Sequence, residues 1–117
     1  DITSSIPVPV SPTATLGSPV TDTSTPNFVW QTINGATWYH LTILNANTGA
    51  LVFDEWKHYS SQCVITPECT WIQPVELPNG SYDWYLQAAG PSGVSQYSGY
   101  DPGDNTWTAA TFSVQVP

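Results

Sequence analysis

Apolar and polar residues alternate along most of this chain, and clusters of Pro, Gly and Asn interrupt the alternation at short intervals. Successive side chains of a β-strand point to opposite faces, so a period of two is typical of strands that bury one face. No segment shows a sustained period of 3.6 residues, which would indicate an amphipathic helix. The sequence therefore predicts an all-β fold of short strands joined by turns.

The alternation also predicts which side chains face outward. In the second predicted strand the odd-numbered residues form one face and Trp38 and His40 lie on the other. In the sixth strand the even-numbered residues form one face, and Tyr85 and Gln87 lie on the other. A register slip of one residue would exchange the two faces. The predicted strands are 27–31, 37–44, 51–53, 70–72, 75–77, 82–88 and 111–116.

Length and charge limit the possible classes of protein. The chain has 117 residues, 40% of them hydrophobic, which is enough for one domain with a single core. Lys57 is the sole Lys or Arg, and the net charge is -8. Neutralising phosphates requires clustered Lys and Arg, so we expect no nucleic acid partner and no attraction to an anionic membrane. There is also no apolar stretch long enough for a membrane-spanning helix, so we expect no membrane insertion.

The two cysteines indicate an oxidising compartment. Cys63 and Cys69 are close in sequence, and no second pair of Cys or His lies at metal-ligand spacing. We therefore expect a local disulfide, which would stabilise the fold by about 2.4 kcal/mol in the chain-entropy model. Two free buried thiols are the alternative. The disulfide favours an extracellular location, either secreted or at the cell surface.

Four segments resemble a known family: Thr-Pro-Asn-Phe-Val-Trp at 25–30, Gly-Ala-Thr-Trp-Tyr-His-Leu at 35–41, Leu-Pro-Asn-Gly-Ser-Tyr-Asp-Trp at 77–84 and Phe-Ser-Val at 112–114. They resemble the fibronectin type III-like and immunoglobulin-like repeats of large secreted prokaryotic proteins, over about residues 16–116. The resemblance implies a seven-stranded β-sandwich with Trp30, Tyr39 and Tyr82 in its core. Tyr82 would stand where such domains place a tyrosine at a strand corner. It implies no single function, because the fold serves many.

The chain departs from the family pattern at two places. Residues 90–107 form a longer loop than these repeats usually carry, and the family pattern does not specify the register of the last strand after it. The first strand of the sandwich is expected near residues 15–20, which leaves 1–12 as an extra extended segment before a domain of 13–117.

The segment 1–12 has two interpretations. Apolar residues alternate with prolines in it, so that a strand formed there could hydrogen-bond along one edge only. One interpretation is a Pro-rich linker to a neighbouring domain. The other is a strand donated to the open edge of a second copy, which would produce a homopolymer. The apolar side chains of such an assembly segment are Ile2, Ile6, Val8 and Val10.

Catalysis and cofactors are not expected. Several Asp and Glu residues could be paired on paper, but nothing in the sequence fixes two of them at the separation that glycoside hydrolysis needs. We therefore expect a protein that is not an enzyme and has no cofactor. Asp101 and Asp104 lie in a turn with oxygen donors and are a weak candidate for a calcium site, because the spacing of a dedicated calcium loop is missing.

Aromatic residues are in surplus, with six Trp and six Tyr. If the two strands described above are neighbours, Trp38, His40, Tyr85 and Gln87 share one outward face. Rings with polar edges can stack on sugars or anchor a partner subunit. Alternatively, other residues of the same chain, including the loop at 90–107, cover them. Trp71 and Trp107 could belong to the core and are not assigned.

Three functions follow from these patterns. The first is a structural subunit of a surface fibre or adhesive assembly, joined by strand complementation. The second is a carbohydrate-binding module of a secreted polysaccharide-degrading enzyme. The third is a passive spacer repeat.

Overall fold

The computed structural model describes residues 5–11, 20–21, 27–58, 63, 68–72 and 76–115. All regular secondary structure in these ranges is β-strand, which confirms the all-β prediction. The strand predicted at 27–31 has the observed bounds, whereas the strand predicted at 51–53 extends to residue 58. The described strands are β1 Pro9–Ser11, β2 Val20–Thr21, β3 Asn27–Gln31, β4 Trp38–Asn45, β5 Leu51–His58, β6 Glu68–Ile72, β7 Gly80–Gly90, β8 Gly93–Val94, β9 Tyr100–Asp101, β10 Thr106–Trp107 and β11 Ala110–Val114.

The strands form two main sheets. The smaller sheet has the order β1-β3-β6, and both of its pairings are antiparallel. The larger sheet has the order β2-β11-β7-β4-β5, with β8 added beside the end of β7. Its pairings are antiparallel except that of β2 with β11, which is parallel. Strands β9 and β10 form a separate hairpin.

Aromatic rings from the two sheets pack against each other to form the core. Phe28 of β3 stacks on Trp84 of β7 with ring centroids 5.0 Å apart and meets Phe112 of β11 at 5.5 Å. Trp30 of β3 packs against Tyr39 of β4 at 5.2 Å. Aromatic pairs of this kind bury large apolar areas and join the two layers. The arrangement is that of a β-sandwich.

Burial follows the predicted alternation. The odd-numbered residues of β4 from 39 to 43 are buried, and the even-numbered residues are half-buried or exposed. In β7 the even-numbered residues from 82 to 88 are buried. Trp71, which the sequence left unassigned, is buried in the core, whereas Trp107 is exposed.

The connection into β7 is fixed by a tyrosine. The hydroxyl of Tyr82 donates a hydrogen bond of 2.5 Å to the backbone oxygen of Pro78, four residues upstream. Glu76 and Leu77 do not form the strand expected at 75–77, although Leu77 is buried in the core. The Leu77 side chain therefore packs in the core although Leu77 does not belong to a strand.

The N-terminal segment pairs within its own chain. Pro9 of β1 lies opposite Trp30 of β3, and the Gln31 N–H donates to the backbone oxygen of Val8 at 3.0 Å. Ser5 accepts a hydrogen bond from the Gln96 N–H at 3.1 Å. Residues 8–11 thus lie along the edge of the smaller sheet, and Ser5 contacts the loop after β8. Pro7 is buried and Ile6 half-buried, whereas Val8 and Val10 are exposed. Ile2, and most of the first strand expected near 15–20, lie outside the described residues.

A disulfide joins Cys63 to Cys69, as the spacing predicted. Cys69 lies in β6, is fully buried and stands opposite Trp30. The bond therefore ties the segment before β6 to the wall of the core. Within the ranges listed above, the structure contains no helix that could cross a lipid bilayer.

Candidate functional site

The outer face of the larger sheet carries the residues that the sequence singled out. His40 of β4 lies directly opposite Gln87 of β7, and Thr42 lies opposite Tyr85. Trp38 lies two residues before His40 in β4, opposite Ala89 of β7. Because alternate residues of neighbouring strands share a face, the register brings Trp38, His40, Tyr85 and Gln87 onto one surface.

Two buried serines attach the loop after β8 to this sheet. Strand β11 pairs with β7 only as far as Trp84. Beyond Trp84, the backbone N–H and C=O groups along this edge of β7 need other hydrogen-bond partners. The Ser98 hydroxyl accepts a 2.9 Å hydrogen bond from the Leu86 N–H, and the Ser95 hydroxyl accepts one of 2.9 Å from the Ala88 N–H. The N–H groups of both serines in turn donate to the same two residues of β7, at 2.7 and 2.8 Å.

The serine anchors place Tyr97 over the outer face. The Tyr97 ring lies 6.5 Å from the Tyr85 ring at an interplanar angle of 86°. It also lies 6.3 Å from the His40 ring. The long loop therefore covers part of the predicted platform, as one of the alternatives held, but it adds a ring to the site while doing so.

A short hairpin brings a further ring to the same place. Strands β9 and β10 are closed at their base by a 3.0 Å hydrogen bond from the Thr108 N–H to the Gly99 oxygen. Gly99 has φ of +79°, and a Cβ there would lie 1.8 Å from the Thr108 oxygen, so only glycine fits. Trp107 packs against Tyr100 within the hairpin, with ring centroids 4.8 Å apart.

Tyr85, Tyr97 and Trp107 surround an open cleft of about 290 Å³ above Thr42. We call these four residues the aromatic cleft. Its size is at the lower end of the range for ligand sites, roughly 300 to 1,000 Å³. Three aromatic rings, each with a polar group, line the cleft together with Thr42, whose hydroxyl donates a hydrogen bond of 3.4 Å to the Asp54 carboxylate.

A second group of rings lies beside the cleft, towards β5. His40 stacks on Trp56 at 4.5 Å with an interplanar angle of 11°, and its Nε2 contacts the Asp54 carboxylate. Trp38 meets His58 edge to face at 5.1 Å. We call Trp38, His40, Trp56 and His58 the strand-edge cluster. It is contiguous with the cleft through the contact between His40 and Tyr97.

Charge on this face is negative or absent. Burial, and then the nearby Asp83 carboxylate, raise the pKa of Tyr85. Lys57 lies opposite Tyr39, on the inner side of β5, where it pairs with Glu55 at 3.2 Å. The one Lys or Arg of the chain therefore does not reach the cleft.

The structure assigns a local role to Asp101. Its carboxylate accepts a 2.9 Å hydrogen bond from the Gly103 N–H and so closes the β9–β10 turn. In the part of the chain that the structure describes, no group of three or more His, Cys, Asp or Glu side chains could hold a metal ion. Asp101 and Asp104 thus have no third ligand of this kind among those residues.

Tyr97 and Trp107 are the functional candidates that the sequence pattern missed. Tyr97 sits in a loop without periodicity, and Trp107 in a strand of two residues, so no alternation assigns them a face. The available signal was the length of the loop at 90–107 together with its aromatic content.

No model of a protein family matches the chain, and no curated protein matches it.

Proposed function

We propose that this protein is a non-catalytic carbohydrate-binding domain, and that the aromatic cleft is its binding site. The observation that carries the proposal is the convergence of Tyr85, Tyr97 and Trp107 on one open cleft from three separate parts of the chain. Aromatic rings stack on the apolar faces of sugar rings, while hydroxyl and indole groups bond the sugar hydroxyls. This mixture of ring faces and polar tips suits a sugar better than a wholly apolar ligand.

The test compares two tryptophans of equal exposure. Trp107 and Trp38 are each 45% exposed on the same side of the molecule, but only Trp107 lines the cleft. We expect Trp107→Ala to weaken binding to a retained polysaccharide at least tenfold, as loss of a binding anchor does. Trp38→Ala should weaken it less than threefold. Native affinity electrophoresis against a panel of polysaccharides measures both.

Two controls complete the test. Leu51→Ala removes another exposed apolar side chain, 60% exposed at the start of β5, and should leave binding unchanged. Near-ultraviolet circular dichroism verifies that each variant keeps its core. The proposal would be refuted if no polysaccharide retards the protein, or if Trp107→Ala binds as well as Leu51→Ala. If Trp107→Ala and Trp38→Ala lose the same amount of binding affinity, the binding site is the whole outward face that the sequence predicted.

We also propose that the sandwich is of the immunoglobulin or fibronectin type III kind and that it is extracellular. The sheet orders β1-β3-β6 and β11-β7-β4-β5 support the first statement, because together they use seven strands in two antiparallel layers. The hydrogen bond from Tyr82 to Pro78 has the form of the tyrosine corner of such domains. The disulfide supports the second statement, since such bonds persist in oxidising compartments.

Assembly by strand exchange is a second candidate function. Strand β1 is a short edge strand and pairs with β3 alone among the described strands. The same pairing could form between β1 of one copy and β3 of the next, which would link copies head to tail. The observation in its favour is that Val10 of β1 and Val8 just before it are exposed, so that apolar side chains of this segment are left uncovered.

Deletion of residues 1–12 tests strand exchange. We expect the intact chain to form concentration-dependent oligomers by light scattering and the truncated chain to stay monomeric while keeping its circular dichroism spectrum. A truncated chain that folds and assembles as well as the intact one would refute this candidate. A passive spacer would neither assemble nor bind polysaccharide.

A further inference from the structure

The rings of the aromatic cleft do not share a plane. Tyr85 and Tyr97 are nearly perpendicular, at 86°. Tyr85 rises from the sheet itself, whereas Tyr97 and Trp107 come from the loop and the hairpin beyond it. The Tyr85 and Tyr97 rings therefore do not form one flat platform. A crystalline polysaccharide presents a flat face and needs coplanar rings, whereas a single chain can contact rings that are set at an angle to each other.

The lining of the cleft is uncharged, and its surroundings repel anions. The lining residues Thr42, Tyr85, Tyr97 and Trp107 include no Asp, Glu, Lys or Arg, and the chain as a whole carries -8. Asp54 and Asp83 lie on the same outer face, because Asp54 of β5 is opposite Thr42 of β4 and Asp83 of β7 is opposite Leu44 of β4. An acidic sugar would meet this negative field without a cation to pair with. The lining itself has no charged side chain to pair with a basic sugar, and the neighbouring Asp54 carboxylate accepts a hydrogen bond of 3.4 Å from the Thr42 hydroxyl.

From these two properties we propose that the aromatic cleft binds a single, uncharged polysaccharide chain in solution, and selects against crystalline surfaces and against acidic chains. This inference rests on the proposed carbohydrate-binding function and specifies its ligand class. Selection against crystalline surfaces comes from the perpendicular rings of Tyr85 and Tyr97, and selection against acidic chains comes from the negative field around the site.

Matched polymers test the ligand class. Each backbone in the panel, for example cellulose, xylan and mannan, is presented as a neutral soluble polymer, with hydroxyethyl cellulose for cellulose, as its carboxymethyl derivative, and as an insoluble crystalline powder where one exists. Soluble chitosan is the cationic polymer of the panel. We expect a neutral soluble polymer to bind at least five times more tightly than its carboxymethyl derivative at low salt, with the difference shrinking in 0.5 M NaCl as the field is screened. Crystalline powder should retain less than a tenth of the protein.

The outcomes separate the inference from the function. One outcome is that crystalline powder or carboxymethyl polymer binds as tightly as the neutral polymer, and that this binding is lost in Trp107→Ala. It would overturn the proposed ligand class but support the proposed carbohydrate-binding function. Binding to soluble chitosan that exceeds neutral binding and depends on Trp107 would overturn it as well. If chitosan binding is unchanged in Trp107→Ala and is lost in salt, it is charge attraction outside the cleft. This result supports the inference when binding of the neutral polymer persists in salt. Absence of binding to every polymer would refute the proposed function itself.

Discussion

Replacement of Ser98 by Ala should destabilise the fold and weaken ligand binding together. Ser98 is 1% exposed, and its hydroxyl is the hydrogen-bond acceptor of the Leu86 N–H in the middle of β7. In the alanine variant this buried N–H loses its partner. An unpaired buried polar group costs roughly 1 to 3 kcal/mol. At this chain length 1 kcal/mol lowers Tm by roughly 4 °C, so we expect Tm to fall by roughly 4 to 12 °C.

A matched serine provides the control. The Ser113 hydroxyl lies 3.2 Å from that of Ser81, and both residues are half-buried, so water can replace the lost group. Ser113→Ala should therefore cost less than about 0.5 kcal/mol. Urea unfolding followed by tryptophan fluorescence measures both free energies of unfolding. The argument would be refuted if Ser98→Ala were as stable as Ser113→Ala.

The same variant tests the link between the anchor and the cleft. Tyr97 precedes Ser98 directly, and the hydrogen bonds of Ser95 and Ser98 hold the segment against β7. With one anchor lost, the Tyr97 ring is held less firmly over Tyr85, and we expect polysaccharide binding to weaken several-fold at a temperature where the variant is fully folded. A destabilised variant with unchanged binding would show that the anchor does not position Tyr97.

Three further predictions concern the hairpin, the core and the disulfide. Gly99→Ala should abolish binding while leaving the near-ultraviolet circular dichroism of the core intact, because its Cβ would collide with the Thr108 oxygen and open the hairpin; retained binding would contradict this. Burial raises the pKa of Tyr39 above 10.0, so the folded state holds this proton more tightly than the unfolded state and loses stability above about pH 10. The urea midpoint between pH 8 and 11 should therefore fall less steeply in Tyr39→Phe than in the parent chain. Reduction of the disulfide between Cys63 and Cys69 should lower the free energy of unfolding by about 2.4 kcal/mol in the chain-entropy model, measured by urea unfolding with and without dithiothreitol; equal midpoints would count against it.

The faces of the long strands could be predicted from the sequence. Burial in β4 and β7 follows the alternation, and the shared outer face of His40, Tyr85 and Gln87 results from it once the two strands pair. The reason is that a strand fixes its side chains at a period of two whatever surrounds it. The cysteine spacing likewise predicted the disulfide, because closing so short a loop needs only local geometry.

Partners between distant segments could not be predicted in this way. The alternation of apolar residues and prolines in the N-terminal segment is compatible with pairing to any open edge, and only the tertiary structure places β1 on β3 of the same chain. A strand's own sequence specifies which of its faces is apolar, but not which edge it joins.

The sequence by itself determined an all-β chain, its inward and outward faces, its local disulfide and its single basic side chain. Only the tertiary structure decided that Ser95 and Ser98 complete the edge of β7 and that Tyr97 and Trp107 meet Tyr85 above Thr42. Those contacts join segments without periodicity, and they depend on backbone groups of β7 left unpaired where β11 ends. Local patterns record how a segment repeats, whereas a cleft depends on which segments the whole fold brings together.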